Sequence, residues 1–217
     1  MVSTGSEKMF MDKLIVGSSN PAKIQMIQSA LIPLNIAVQG TDGMGIALDI
    51  EEDGKTAQEN ARKKSLAYAA AIRQPVLSID NALYIDGLPD HEQPGINTRK
   101  IDKHGGRASD EELLEYFSRI IERLGGKTTG RWEFAVCIAD EKGNLFEKTI
   151  ISPRQFISKP SKRVIKGYPL ESIQIEPESG IYISEMTPDE QDRFWQKVIG
   201  KELCDFVSQA LSQLSGK

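Results

Sequence analysis

The apolar run Leu14-Ile-Val16 empties through Gly17-Ser-Ser-Asn20 straight into Pro21-Ala-Lys23 and the helical stretch Ile24-Gln-Met-Ile-Gln-Ser-Ala-Leu31. No other stretch constrains the chain as much, because a strand that turns through small residues directly into a helix is a building unit of an α/β layer. Pro21 suits a first helical position, where a missing N–H costs nothing. The same unit makes an anion site. Small side chains at Gly17, Ser18 and Ser19 let a ligand approach the backbone, the helix start offers unpaired N–H groups and a partial positive charge, and Lys23 adds a full one. A phosphate is the natural guest. The motif taken alone leaves open an ordinary strand, turn and helix with Lys23 solvated.

With 217 residues, 39% of them hydrophobic, the chain can build the core of one sizeable α/β domain, with or without a smaller lobe. Lys and Arg total 27 against 31 Asp and Glu, and the net charge of -4 argues against a general nucleic-acid binder. A small anionic ligand therefore needs local positive residues. No apolar run approaches the ~18 residues of a membrane span, and no signal-peptide pattern opens the chain, so a cytoplasmic protein without a membrane partner is expected. Cys137 and Cys204 stand far apart without metal-type spacing, which fits reduced thiols packed in a core. Residues 1–10 lack any periodic pattern and read as a flexible leader.

Three capping signals punctuate the rest. Thr56-Ala-Gln-Glu59 starts an Ala-rich helix through about Ile72, Ser109-Asp-Glu-Glu112 starts an amphipathic helix ended by Gly125-Gly126, and Thr187-Pro-Asp-Glu190 starts a C-terminal helix to about Leu214. Val76 to Ile79 reads as a short buried strand ending at Asp80, with an alternating Leu83, Ile85 segment after it. Trp132 to Ala139 and Leu145 to Ile151 read as a hairpin around Asp140-Glu-Lys-Gly143. Asp86 to Gly106 and Ser158 to Pro177 read as irregular.

Acids supply the second half of a candidate site. Glu51, Glu52 and Asp53 lie in a loop before a helix, and binding Mg²⁺ between protein and polyphosphate takes only one or two carboxylates, so Glu51 and Asp80 are candidates. A solvated acidic turn and a turn cap through Asn81 are the competing readings, and an exposed Lys64 is expected. Arg99, after the Pro94-Gly95 turn, adds a further basic position.

These segments resemble the inosine triphosphate pyrophosphatase family, enzymes that remove non-standard purine nucleoside triphosphates. Ser18-Ser19-Asn20-Pro-Ala-Lys23 resembles that family's Thr-Gly-Asn-x-x-Lys phosphate loop. Glu51 followed by Thr56-Ala-Gln-Glu59-Asn60-Ala61-Arg-Lys-Lys64 resembles its Glu…Thr-x-x-Glu-Asn-Ala-x-x-Lys segment. Pro75-Val-Leu-Ser-Ile-Asp80-Asn-Ala-Leu83, Asp86-Gly-Leu88 and Pro94-Gly95-Ile-Asn-Thr-Arg99 follow in the family's order. There are departures. Ile79 stands where the family has the first of two acids, Gly167-Tyr168-Pro169 lacks the acid of Gly-Tyr-Asp-Pro, and Glu190 to Lys197 replaces a segment ending in Ser-His-Arg, keeping only the charge of Lys197.

The resemblance implies a mixed, twisted β-sheet flanked by helices, a single domain over residues 11–217 with two lobes around a nucleotide cleft, and a homodimer. It implies attack of a metal-positioned water on the α-phosphorus, releasing pyrophosphate. Glu51 and Asp80 would hold Mg²⁺, with Asp80 also orienting water. Ser18, Ser19, Asn20 and Lys23 would hold the leaving phosphates, Arg99 would offset charge, and Asn81, Tyr168 and Lys197 would contact substrate. Core packing is the competing role for Tyr168 and Trp195. Three activities fit these residues: the Mg²⁺-dependent pyrophosphatase, a catalytically silent nucleotide-binding homologue, and a phosphohydrolase releasing orthophosphate.

Overall fold

The computed structural model describes residues 13–46, 48–101 and 106–215, so the expectation of a flexible leader at residues 1–10 falls outside the described residues. Six strands form one mixed sheet in the order β2-β1-β3-β4-β5-β6. Strand β1 (Lys13–Val16) runs parallel to β2 (Ala37–Gly40) and to β3 (Val76–Ile85), while β3, β4 (Lys127–Ala139), β5 (Leu145–Ile157) and β6 (Gln174–Ile175) run antiparallel in succession. The mixed α/β sheet read from the sequence is borne out.

Local chemistry sets the helices. In α1 (Pro21–Leu31) the Asn20 carboxamide oxygen accepts the N–H groups of Ala22 at 3.0 Å and Lys23 at 3.5 Å. Thr56 caps α2 (Ala57–Ile72), and Glu59 reaches one residue further back than a capping box requires, accepting from Lys55 N at 2.7 Å. Reciprocal capping boxes open α3 (Asp110–Arg123) and α4 (Pro188–Trp195).

Helix α2 packs through Ala57 and Ala61 on Ala82, Ala135 and Cys137. Leu77 and Ile79 of β3 pack into a second cluster with residues of α1, α4 and α5 (Lys201–Ser215), whereas Leu83 and Ile85 pack with α3, Phe156 and Leu170. Alternation along β3 thus sends its even residues to α2 and its odd residues to the two other clusters.

Three segments differ from the sequence reading. The third strand does not end at Asp80: β3 continues to Ile85 because β4 pairs with every one of its residues, Asp80 opposite Ala135 and Ile85 opposite Gly130. The hairpin strands each span 13 residues, the extra length of β4 being mostly polar and that of β5 mixing polar residues with the buried Phe156. The C-terminal helix is interrupted by a π-helical segment, Gln196–Gly200, where a Cβ on Gly200 would lie 3.2 Å from the Ala30 carbonyl and hold α1 away. Both thiols are free, Cys137 buried and Cys204 half-buried. Among the described residues no helix is long and apolar enough to cross a membrane.

Candidate active site

Strand β1 is short, and that shortness makes the site. It pairs with β3 only at Val76 and Leu77, after which Gly17 N donates to Leu77 O at 2.8 Å and the chain turns away. Further along the same edge of β3, Leu83 exchanges two backbone hydrogen bonds with Gly95, at 2.9 and 3.0 Å. Between these two closures the edge around Ile79 carries no strand. It lies beyond the carboxyl end of β1, where connections leave for β2 on one side and β3 on the other, the place where open α/β sheets gather ligands.

Two ammonium groups fill the opening. Lys23 Nζ donates to the Ile79 carbonyl at 3.0 Å, and Lys64 Nζ reaches it at 3.4 Å. Lys64 also donates to Asp80 Oδ1 and Glu52 Oε1, both at 3.1 Å, while Asn60 Nδ2 donates to Asp80 Oδ2 at 3.1 Å. Burial, helped by the neighbouring Lys64 charge, pulls the Lys23 ammonium down to about 8, with Asp80 and Glu52 opposing. Burial pushes the Glu52 carboxyl up, but Lys64, through its charge and its hydrogen bond, outweighs that and holds it below the ordinary range.

A cleft of ≈ 440 Å³ opens here, bordered by Ser18, Ser19, Asn20, Lys23, Asp80 and Asn81 among others. Gly17 allows the turn to sit close, since a Cβ there would lie 2.5 Å from Ser78 Oγ and 2.7 Å from Tyr68 Cδ2. Ser18 Oγ accepts from Asn20 N at 3.2 Å, which shapes the loop. The start of α1 and Lys23 give this end of the cleft its anion-holding character.

The structure gathers most of the residues expected from the sequence, though not all. Glu51 is exposed and outside the cleft lining, while its neighbour Glu52 turns in to Lys64 and Asp53 pairs with Lys63. Lys64 is buried rather than exposed, because α2 buries the stripe Ala57, Asn60, Ala61, Lys64, Ser65 and Tyr68. The spacing of Asn60 and Lys64 on the face that carries Ala57, Ala61 and Ser65 was the available signal. Arg99 borders the cleft, but its guanidinium is bound by Asp110 Oδ1 at 2.8 Å, Gly167 O at 3.1 Å and Ala108 O at 3.4 Å, so it braces the wall. Asp110 Oδ2 also accepts from Gly167 N at 2.8 Å. Tyr168 borders the cleft and also packs against the core, its hydroxyl 3.8 Å from Met26 Sδ, and burial raises that hydroxyl above its ordinary range.

Lys197 does not reach the cleft. It pairs at the surface with Glu176 at 3.1 Å and Glu178 at 2.7 Å, because this stretch turns Phe194, Trp195 and Ile199 inward instead. Trp195 packs edge-on against Phe134, with centroids 6.5 Å apart, and borders the cleft as well as the core. Arg107 is a further cleft residue without a sequence signal.

The acid pair fits a hard divalent cation. Asp80 and Glu52 present carboxylate oxygens to one shared ammonium, so positive charge is already accommodated between them, and Mg²⁺ takes one or two carboxylates with phosphate and water completing its shell. No group of three or more His, Cys, Asp or Glu among the described residues forms an all-protein cage.

The dITP/XTP pyrophosphatase of an Exiguobacterium strain is 32% identical over 133 residues, 60% of this chain and 64% of that protein. The Deinococcus deserti enzyme of the same name is 31% identical over 135 residues and is spanned over 60% of its length. The chain therefore spans under two thirds of these two relatives. The Bacillus subtilis dITP/XTP pyrophosphatase is 26% identical over 185 residues, 84% of this chain and 90% of that one. In structure, a HAM1 protein from Coxiella burnetii superposes with a TM-score of 0.66 at 20% identity, over 92% of this chain and all of that one. The Staphylococcus aureus Ham1 protein gives 0.64 at 18% identity, over 94% and 99%. The model of the Ham1 family matches residues 14–196, and the chain accordingly belongs to this inosine triphosphate pyrophosphatase-like family.

Proposed function

We propose that this chain is a nucleoside triphosphate pyrophosphatase that cleaves non-standard purine nucleotides such as ITP, XTP and dITP to the monophosphate and pyrophosphate. The observation that carries the reading is the convergence of a helix start, two lysines and two carboxylates on the open edge of β3. The names of the relatives point the same way.

In this reading Ser18, Ser19 and the Lys23 ammonium hold the leaving phosphates at the start of α1, whose Ala22 and Lys23 amides Asn20 already caps. The Lys23 charge is in place before substrate arrives and stabilises growing negative charge. Lys64 holds the Asp80 and Glu52 carboxylates together at the cleft, and Asn60 fixes the rotation of Asp80 through its second oxygen. Asp80 orients the attacking water and accepts its hydrogen bond. Carboxylates are weak bases at neutral pH, so positioning dominates over proton abstraction. Mg²⁺, held by Asp80 and Glu52, would supply charge neutralisation at the phosphates and a water of lowered pKa. The free thiols support a reducing, cytoplasmic setting. The homodimer implied by the resemblance is tested by light scattering.

The deciding assay incubates protein and Mg²⁺ with ITP, XTP, dITP and the standard triphosphates, resolving monophosphate, pyrophosphate and orthophosphate, with Asp80→Asn as control. Monophosphate plus pyrophosphate, lost in the variant, is expected. Orthophosphate as the product would overturn the reading in favour of terminal-phosphate chemistry. A second reading, a silent nucleotide-binding homologue, draws on one specific feature: Ile79 occupies the place of an acid, and both remaining carboxylates are engaged by Lys64. Binding without any product would establish it.

A further inference from the structure

Away from the phosphate end, the cleft is bordered by Trp132, Phe134 and Trp195 and by two charged side chains, Arg154 of β5 and Glu171 of the 3-10 turn Pro169–Ile173. Both are almost fully enclosed, Arg154 at 5% exposure and Glu171 at 7%. The Arg154 guanidinium lies over the rings of Phe194 at 5.0 Å and Trp195 at 5.6 Å, a contact that fixes its plane. Its Nη1 donates to Ser152 Oγ and to Pro153 O, the latter at 2.9 Å. Its Nη2 is buried with no acceptor among the described residues.

The Glu171 carboxyl has no hydrogen bond to a described residue and forms no ion pair within 4.0 Å, with Arg154 or any other described cation. Burial pulls Arg154 down to about 10 and pushes Glu171 up to about 8, each easing the other only partly through space. Leaving a buried guanidinium donor unmatched is costly, and a largely enclosed carboxyl without a partner on the same cleft adds to the cost. The two lie on the border of one cleft and are not bonded to each other, so a third body can satisfy both.

We infer that Arg154 and Glu171 are the specificity-determining pair for the base, with Arg154 Nη2 donating to an oxo oxygen and the Glu171 carboxyl accepting the neighbouring ring N–H. An O=C–N–H edge, as on a 6-oxopurine, meets both. A 6-aminopurine sets a donor against the Arg154 donor and leaves the guanidinium unsatisfied. Trp132, Phe134 and Trp195 supply the apolar surroundings for the ring. This inference rests on the reading that a nucleotide occupies the cleft, its phosphates at Lys23. It also accounts for the absence of the Ser-His-Arg segment near Lys197, since the polar reading of the base is carried by β5 and the turn instead.

The test compares ITP, ATP and purine riboside triphosphate, which carries nothing at C6, in the wild-type protein. Removing the oxo group should lower kcat/KM about 10- to 100-fold, and the amino group should cost at least as much. In Arg154→Met, which keeps an unbranched side chain but removes the guanidinium, the three substrates should fall within about threefold of one another, chiefly through loss of ITP turnover. A merely structural pair would lower all three together and keep the ratio. Wild-type protein that uses purine riboside triphosphate as well as ITP overturns the inference without any variant. So does a folded Arg154→Met protein with the wild-type preference. If no triphosphate is hydrolysed, the pyrophosphatase reading fails by itself. The Kd ratio between the non-hydrolysable α,β-imido analogues of ITP and ATP then reports on Arg154 in the same way.

Discussion

Lys23 offers a direct measure of what the site costs the fold. Its ammonium sits near about 8 in the folded protein against an ordinary 10.5, because it is buried beside a second ammonium. Below pH 8 both folded and unfolded chains hold the proton, and the folded state carries the full penalty of the buried charge. Between pH 8 and 10.5 the folded chain releases the proton while the unfolded chain keeps it, so stability rises with pH. The full shift corresponds to about 3.4 kcal/mol at ~1.36 kcal/mol per pH unit. Lys23 is only half-buried by surface area, so about 2 kcal/mol is the working expectation after screening. The assay is urea unfolding of wild type and Lys23→Met at pH 7, 8.5 and 10, read as the difference in stability at each pH so that the other lysines cancel. The wild type should gain on the variant as pH rises across this range, by about 2 kcal/mol. Profiles that stay parallel would refute the buried-charge argument. Substrate binding should reverse the shift, with protein–triphosphate mixing near pH 8.5 taking up a proton that Lys23→Met does not.

Other expectations concern single contacts. Asp80→Asn should cut turnover about 1000-fold while nucleotide binding persists, measured by product release and calorimetry. Lys197→Ala should leave kcat/KM unchanged for every triphosphate, because its ion pairs lie at the surface away from the cleft. Gly17→Ala should destabilise the fold by about 1–3 kcal/mol in thermal unfolding and weaken phosphate binding, since its Cβ would press on Ser78 and Tyr68. Asp110→Asn should lose about 1–2 kcal/mol at pH 7 by loosening the Arg99 and Gly167 brace. Burial pushes the Asp110 carboxyl up, but the Gly167 N–H and Arg99 hold it below the ordinary range. Its contribution is therefore present above the unfolded pKa and is lost as pH falls through the folded one, so the two proteins should converge in acid.

Local signals made much of the fold legible. Pro21, Thr56, Ser109 and Thr187 announce helix starts because the start of a helix is a matter of a few adjacent residues. The continuation of β3 through Asp80 and Asn81 was hidden because long-range pairing with β4 overrides a polar interruption. At the site, the small-residue turn was readable as an anion loop, whereas the contact of Glu52 rather than Glu51 with Lys64 depends on which way one side chain turns. Lys64 was misread because a lysine is exposed by default, and only the small residues flanking it on one face of α2 argued otherwise. Arg154 and Glu171 left no signal, since their meeting at one cleft depends on how β5 and a distant turn fold together.

The open edge of β3 has one more consequence. What the two lysines grip at its centre is a main-chain oxygen, that of Ile79, and every amino acid brings the same oxygen. The anchor is therefore indifferent to mutation at that position. Where the family has an acid this chain can carry isoleucine, sending the side chain into the core while the peptide keeps its hold on both cations. Such a site tolerates sequence drift at its centre, and its dependence falls on the length of β1, which one added residue of pairing would close.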